Sequence, residues 1–322
     1  MRVFINGFGR IGRSVLRAWA GADWPGLQIV GINDIAEAAM CAYLFEYDSV
    51  FGPWRGTVAL DGGALVVDGC PIPLHRVADL SALDLSGVDL VMECTGRADT
   101  AEVAGRGLRA GAARVLVSGP SAAAEYTVVL GANEAGLGAQ RIVSNASCTT
   151  NALAPLVRLL DDGWGVVTGS MTTVHCYTGS QPTTDAPAGD FARSRAAALS
   201  MVPTTTSAQR LLDTVLPDLA GRIMGSAVRV PVASVSCVDL CVMTERAVSV
   251  EAVNAAFRAA GGVIGATDRA LVSSDLRARS ESIIMACPET RATAGGMCRV
   301  FGWYDNEWGF SCRMLDVAGR MG

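Results

Sequence analysis

Residues 2–12 read "RVFINGFGRIG": an apolar run that breaks into glycines at 7, 9 and 12 just where a helix-like segment, "GRSVLRAWAG", begins. A strand that ends on glycine and re-enters as a helix must turn tightly, and only glycine lets the backbone both turn there and approach a pyrophosphate closely. The next apolar run, "LQIVGIND", is strand-like and closes the βαβ unit with Asp34 at its end. A helix N-terminus bared by glycine favours an anion, and a carboxylate at the end of the second strand can accept hydrogen bonds from a ribose diol. A tight structural turn followed by a solvated Asn-Asp turn is the plainer alternative. The combined placement of strand, glycines and acid favours a dinucleotide, with Gly7, Gly9, Gly12 and Asp34 as its binding residues.

The pattern continues through "VDLVMECTG", "RVLVSGP", "TVVLGAN" and "RIVSNAS", short apolar runs with helical segments between some of them. That implies an α/β domain with a doubly wound, mostly parallel sheet covered on both faces. After Cys148 the texture changes to longer, more alternating runs such as "GVVTGSMTTVHCYT" and "SAVRVPVASVSCVDLCVMTE". These suggest a second domain of α+β type with a mainly antiparallel sheet. The expected boundaries are 1–148 for the first domain, with a C-terminal helix at 306–322 packing back on it, and 149–305 for the second. Between 177 and 202 lies an irregular stretch too long for a simple turn, and loops of that length are usually functional or disordered.

The 322 residues, 50% of them hydrophobic, suffice for two cores. A net charge of −5 with 26 scattered Lys and Arg advertises neither nucleic acid nor an anionic membrane. The N-terminus lacks an apolar core of signal-peptide length and no run could span a bilayer, so a cytoplasmic protein is expected. The ten cysteines form no CxxC pair or Cys/His cluster, and no metal site is expected. Several lie in apolar strand patterns, where a cysteine is a small hydrophobe.

Cys148 is different. It sits in "SNASCTTN", beside Ser147, Thr149 and Thr150, at the N-terminal edge of the helix-like "ALAPLVRLL". The positive end of a helix dipole stabilises a thiolate, and hydroxyl donors suit an oxyanion or a phosphate. A Ser/Thr helix cap explains the same residues equally well at this point. An imidazole beside the thiol would lower its pKa and accept a proton. Of the two histidines, His175 follows Cys148 by 27 residues at the end of a long strand, whereas His75 sits in a loop-like region of the first half.

Taken together, "INGFGRIGR", "SNASCTTN", "MTTVH", "RAAALSMVPTTT", "RVP" and "WYDNEWGFS" resemble, in order and spacing and over essentially the whole chain, the phosphorylating glyceraldehyde-3-phosphate dehydrogenase family. The erythrose-4-phosphate dehydrogenases are near neighbours. The resemblance implies a Rossmann domain binding NAD, a catalytic domain carrying an S-loop, and a homotetramer. It makes Cys148 the nucleophile and His175 its base, with glyceraldehyde 3-phosphate and inorganic phosphate as substrates. Arg10 and Ile11 would touch the pyrophosphate, Asp34 the adenosine ribose, Arg76 the adenine side, and Ser118 and Asn306 the nicotinamide end. Thr178 and Arg229 match positions that bind the substrate's phosphate, and Ser147, Thr149, Thr206 and Ser207 match those for inorganic phosphate. Arg193 falls between the two, and Pro187 matches a proline associated with NAD preference. Departures from the family pattern are Ser180 for an aspartate, Ser207 for a glycine, Phe310 for a tyrosine, and Ala188, Gly189 and Ala192 for basic residues of the S-loop. Oxidation of erythrose 4-phosphate or another small aldehyde is the alternative activity. An idle NAD-binding redox sensor is a third reading, against which the retention of Cys148, His175, Thr178, Arg193 and Arg229 speaks.

Overall fold

The computed structural model describes residues 1–322, which divide into two compact units. The first comprises Met1–Val128, Glu134–Ala146 and Ser311–Gly322, and the second Val129–Asn133 and Ser147–Phe310. Cys148, which the sequence reading put at the end of the first domain, thus belongs to the second. Its helix, Cys148–Trp164, packs on the second unit's sheet through Leu153, Leu156, Val157 and Leu160, a buried stripe at helical spacing.

The first unit is built on a nine-stranded sheet. Seven neighbouring strands run parallel, in the spatial order Cys70–His75, Gln28–Asn33, Arg2–Asn6, Leu90–Glu93, Arg114–Val117, Ile142–Ser144 and Tyr126–Thr127. The connections reverse direction between Arg2–Asn6 and Leu90–Glu93, and in a doubly wound sheet ligands bind at the carboxyl ends of the strands beside such a reversal. Val3, Phe4 and Ile5, like Leu90, Val91 and Met92, are buried in succession, because both faces of an interior parallel strand are covered. Val58–Asp61 and Ala64–Val67 extend the sheet as antiparallel strands, and Tyr126–Thr127 closes the other edge.

The second unit carries an eight-stranded sheet, mostly antiparallel. Met297–Tyr304 alternates buried and half-buried residues, with Cys298, Val300 and Tyr304 turned inward. Two of its pairings are parallel: Val166–Cys176 with Ile223–Val230, and Ile264–Thr267 with Ile283–Ala286. The first parallel pair is possible because the chain between its strands is long enough to cross over, with the Ala208–Val215 helix in the connection. Residues 177–201 form the irregular segment and fold on themselves. Ala186 and Ala197 donate to Ser194 O and Pro182 O, and Arg195 pairs with Asp185 at 2.8 Å.

Candidate active site

In the first unit the glycine turn is fixed by close approach. Gly7 has φ +92°, and a Cβ there would lie 2.7 Å from the Thr95 backbone nitrogen. A Cβ on Gly12 would lie 2.1 Å from Gly7 O, whereas one on Gly9 would meet nothing within 4 Å. Two glycines are therefore required by packing, and the third faces open space where a pyrophosphate can approach. Gly9 caps the Arg10–Ala20 helix without a side-chain bond, and no acidic residue occupies the first turn, so this N-terminus suits an anion. A cleft of about 390 Å³ opens alongside, lined among others by Gly7, Gly9, Asp34, Ile35, Thr95 and Arg97. These observations fit a dinucleotide.

Asp34 accepts hydrogen bonds from the Phe8 N–H at 2.6 Å and the Ala36 N–H at 2.9 Å, tying the end of the second strand to the glycine turn. Arg10 is paired with Asp48, and Ile11 is half-buried in the first helical turn. Arg76 pairs with Glu37 at 2.6 Å and donates to Ile35 O, on the exposed side of the cleft. Ser118 ends the Arg114–Val117 strand, with its N–H on Glu93 O. Sequence reasoning missed the buried chain beneath them, in which Asn33 Nδ2 donates to Asn6 Oδ1 at 2.9 Å and Asn6 Nδ2 donates to Glu93 Oε2 at 2.5 Å. Thr95 completes it by donating to Glu93 Oε1. A signal was available: each of these apolar strands ends on a polar residue, in "RVFIN", "QIVGIN" and "LVME".

The second unit resumes at Ser147, directly after Ala146 at φ +54°, and Ser147 caps the helix by accepting the Thr150 N–H at 3.1 Å. Cys148 is the first helical residue. The parallel ladder sets His175 opposite Arg229, and the next strand sets Val202 opposite Arg229. Cys148 Sγ lies 3.6 Å from His175 Nε2. His175 Nδ1 lies 2.7 Å from Cys176 O, a carbonyl that also accepts from Arg229 Nη1 at 3.0 Å. A carbonyl can only accept, so Nδ1 carries the ring hydrogen and Nε2 presents a lone pair to the sulfur. The 2.9 Å between Arg229 Nη1 and Nδ1 is then an approach of two donors to one carbonyl.

Burial, aided by the Arg229 cation, lowers the His175 pKa to about 4. Burial likewise raises the Cys148 thiol, opposed by Arg229 and by its hydrogen bond with Thr149. The sequence reading expected helix end and imidazole to hold the sulfur ionised. Loss of hydration opposes that effect at the sulfur, and at His175 it leaves the imidazole neutral at neutral pH. This has a consequence for stability. The unfolded chain protonates His175 below about 6.5 but the folded one not until about 4, so the unfolded state binds more protons in that window. Acidification from 6.5 to 4 should therefore remove about 3 kcal/mol through this residue alone. Thermal midpoints measured across the window should fall less steeply for His175→Asn than for the unmodified chain; parallel slopes would refute it.

Behind the pair lies Tyr304, 2% exposed, its hydroxyl 2.8 Å from both Thr149 Oγ1 and Thr173 Oγ1 and its ring edge-on to His175. Burial raises this phenol well above its ordinary pKa, so it remains a hydrogen-bond donor. The Thr149 hydroxyl, expected to face phosphate, is turned inward to this tyrosine. The role of Tyr304 is not legible in "WYDNEWG" itself, because only the alternation of its strand shows the ring pointing into the core.

Among the other expected anion ligands, Thr178 Oγ1 is 2.9 Å from Ser180 Oγ. Arg193 donates to Thr204 Oγ1 at 2.6 Å and to Thr205 Oγ1 at 3.1 Å. Thr206 Oγ1 accepts the Ala208 N–H, and Ser207 precedes the Ala208–Val215 helix without capping it. Asn306 is buried, its Oδ1 facing Cys176 Sγ and Ser236 Oγ. The structure thus gathers Ser147, Cys148, Thr149, His175, Arg229 and Asn306 around one core. Arg193 is tied instead to the strand leading to Thr206 and Ser207.

Residues 1–101 match the family model described as glyceraldehyde 3-phosphate dehydrogenase, NAD binding domain, and residues 147–306 that of its C-terminal domain. Curated relatives similar to this chain include the glyceraldehyde-3-phosphate dehydrogenase of Cereibacter sphaeroides, 45% identical with 100% of this chain and 98% of that protein covered. The protein of the same name from Pseudomonas aeruginosa is 46% identical, covering 99% and 97%, and that from Geobacillus stearothermophilus 42%, covering 99% and 97%.

Proposed function

The chain belongs to the glyceraldehyde-3-phosphate dehydrogenase family, and from that premise we propose that Cys148 and His175 carry an NAD-dependent, phosphorylating oxidation of glyceraldehyde 3-phosphate. The observation that carries it is the 3.6 Å approach of Cys148 Sγ to His175 Nε2, with Nδ1 held on Cys176 O. His175 Nε2 takes the thiol proton as the sulfur adds to the aldehyde carbon and returns it to the new alkoxide, giving a thiohemiacetal. It then takes the hydroxyl proton as the carbon is oxidised to a thioester. NAD, when bound, supplies the two-electron acceptor for this step. Inorganic phosphate attacks the thioester carbon and releases 1,3-bisphosphoglycerate, with the Cys148 sulfur as leaving group. The covalent route divides a difficult reaction and conserves the oxidation as an acyl phosphate.

Arg229 and Thr178 would bind the substrate's phosphate, and Ser147, Thr149, Thr206 and Ser207 the incoming one, with Arg193 supplying a cation between them. Arginine suits both because its planar donors match phosphate oxygens and its charge does not titrate. For Thr149 this requires its hydroxyl to leave Tyr304. Gly7, Gly9, Arg10, Ile11, Gly12, Asp34, Arg76, Ser118 and Asn306 would hold the cofactor. On this reading the first unit is the NAD-binding domain, with Ser311–Gly322 joining it, and the second the catalytic domain. No helix is long and apolar enough to cross a membrane, and a cytoplasmic homotetramer is our reading of where and how the enzyme works. Phe191, Leu199 and Met201, apolar and 99%, 85% and 75% exposed on the irregular segment, support an assembly that covers them.

NADH formation measured on a panel of aldehydes tests the proposal. Glyceraldehyde 3-phosphate should give the highest kcat/KM, with turnover dependent on phosphate and supported by arsenate, a tetrahedral oxyanion of similar charge. A higher kcat/KM for erythrose 4-phosphate, or turnover indifferent to phosphate, would sink it.

A further inference from the structure

Cys176 follows His175 in sequence, is 1% exposed, and is met by polar groups on three sides. Its N–H donates to Ser236 Oγ at 3.1 Å, its carbonyl holds His175 Nδ1 and Arg229 Nη1, and its thiol donates to Asn306 Oδ1 at 3.2 Å. We infer that Cys176 is a positioning residue whose S–H fixes the Asn306 amide with its oxygen inward, leaving the amide N–H groups as the end offered to the cofactor. The inference rests on the reading above that Asn306 meets the nicotinamide end.

The two ends of an asparagine amide have the same shape but opposite hydrogen-bonding character, so something must choose between them. Ser236 Oγ already accepts from the Cys176 N–H, which leaves its own hydrogen for Asn306 Oδ1 at 3.4 Å. Two donors therefore converge on one end of the amide, and turning it over would set N–H groups against an S–H and an O–H. The thiol can serve only while protonated, and burial raises it to about 12. Ser236 is delivered by Val235 at φ +66°, a conformation costly for a β-branched residue and retained only where its surroundings over-determine it.

The test is NAD affinity, titrated by protein fluorescence, together with KM for the aldehyde. Cys176→Ala should raise the NAD Kd about fivefold, the scale of one hydrogen bond, and leave the aldehyde KM within about twofold. Cys176→Ser, which restores a donor, should recover the unmodified affinity. In an Asn306→Ala background Cys176→Ala should add less than about twofold, since the two changes remove one interaction. Asn306→Asp keeps an acceptor for the thiol but offers no N–H, and should bind NAD as weakly as Asn306→Ala. Unchanged affinity in Cys176→Ala with weakened affinity in Asn306→Ala overturns the role of Cys176 alone. Unchanged affinity in Asn306→Ala overturns the reading of Asn306 and the inference with it. Failure of serine to rescue, additive effects, or full affinity in Asn306→Asp also overturn the inference. Asn306→Asp decides the orientation even should Cys176→Ala not fold.

Discussion

Cys148→Ser should lower the rate of NADH formation by about 10⁴-fold or more while leaving NAD affinity unchanged, the scale on which a covalent nucleophile is lost. Serine can begin the Cys148–Trp164 helix as cysteine does, so the fold gives no reason for the loss. Its hydroxyl is far harder to ionise than a thiol, and an imidazole lowered to about 4 is too weak a base to compensate. Iodoacetamide gives a second reading of the same residue. Of the ten cysteines, Cys70 is exposed, Cys148 and Cys241 are half-buried, and the rest are buried. Activity should therefore fall in step with alkylation of Cys148, and modification of Cys70 should not affect it. A serine variant that retains a tenth of the unmodified rate would end the assignment, as would full activity in chains alkylated at Cys148.

His175→Asn should slow acylation by about 100-fold or more, the usual scale for losing a positioned general base. The position of the base also fixes the form of the pH dependence. Because burial holds the free imidazole at about 4, Nε2 is unprotonated at neutral pH, and its contribution to acylation should persist until pH falls toward 4. In the asparagine variant that acid limb should disappear. Single-turnover NADH bursts across pH measure both effects, and an unchanged profile in the variant would mean that another group accepts the proton. NAD affinity serves as the control, since the hydrogen-bond partners of His175 are Cys148, Cys176 and Arg229.

The glycine turn was legible in the sequence because its demands are local. Gly7 turns at positive φ and Gly12 meets Gly7 O within one turn of chain, although the Thr95 backbone that also excludes a side chain at Gly7 is distant in sequence; the apolar runs around them are continuous because interior parallel strands are covered on both faces. Cys148 could be singled out for a similar reason, as a thiol at a helix start among hydroxyls. Yet the same stretch is also a helix cap, and Ser147 does cap the helix. The resemblance to a known family, rather than the stretch itself, decided between the two readings. The parallel pairing of Val166–Cys176 with Ile223–Val230 was not legible, since alternation along a strand does not show the direction of its neighbour.

The sequence by itself determined the two-part α/β organisation, the dinucleotide turn and the candidate thiol, each written in spacing over a few residues. Tertiary structure decided which histidine meets the thiol, because His175, Arg229 and Val202 share one level only through the registers of three strands. It also decided that Tyr304 lies behind Thr149, that Asn6, Asn33 and Glu93 join beneath the glycine turn, and that Cys176 holds Asn306. These residues are separated by tens to more than a hundred positions along the chain, so no local pattern links them. The charge states of the pair were decided there as well. Hydration is removed by all the elements that bury Cys148 and His175, and that loss lowers the imidazole and, at the thiol, opposes the shift that a helix end and a neighbouring imidazole alone would produce.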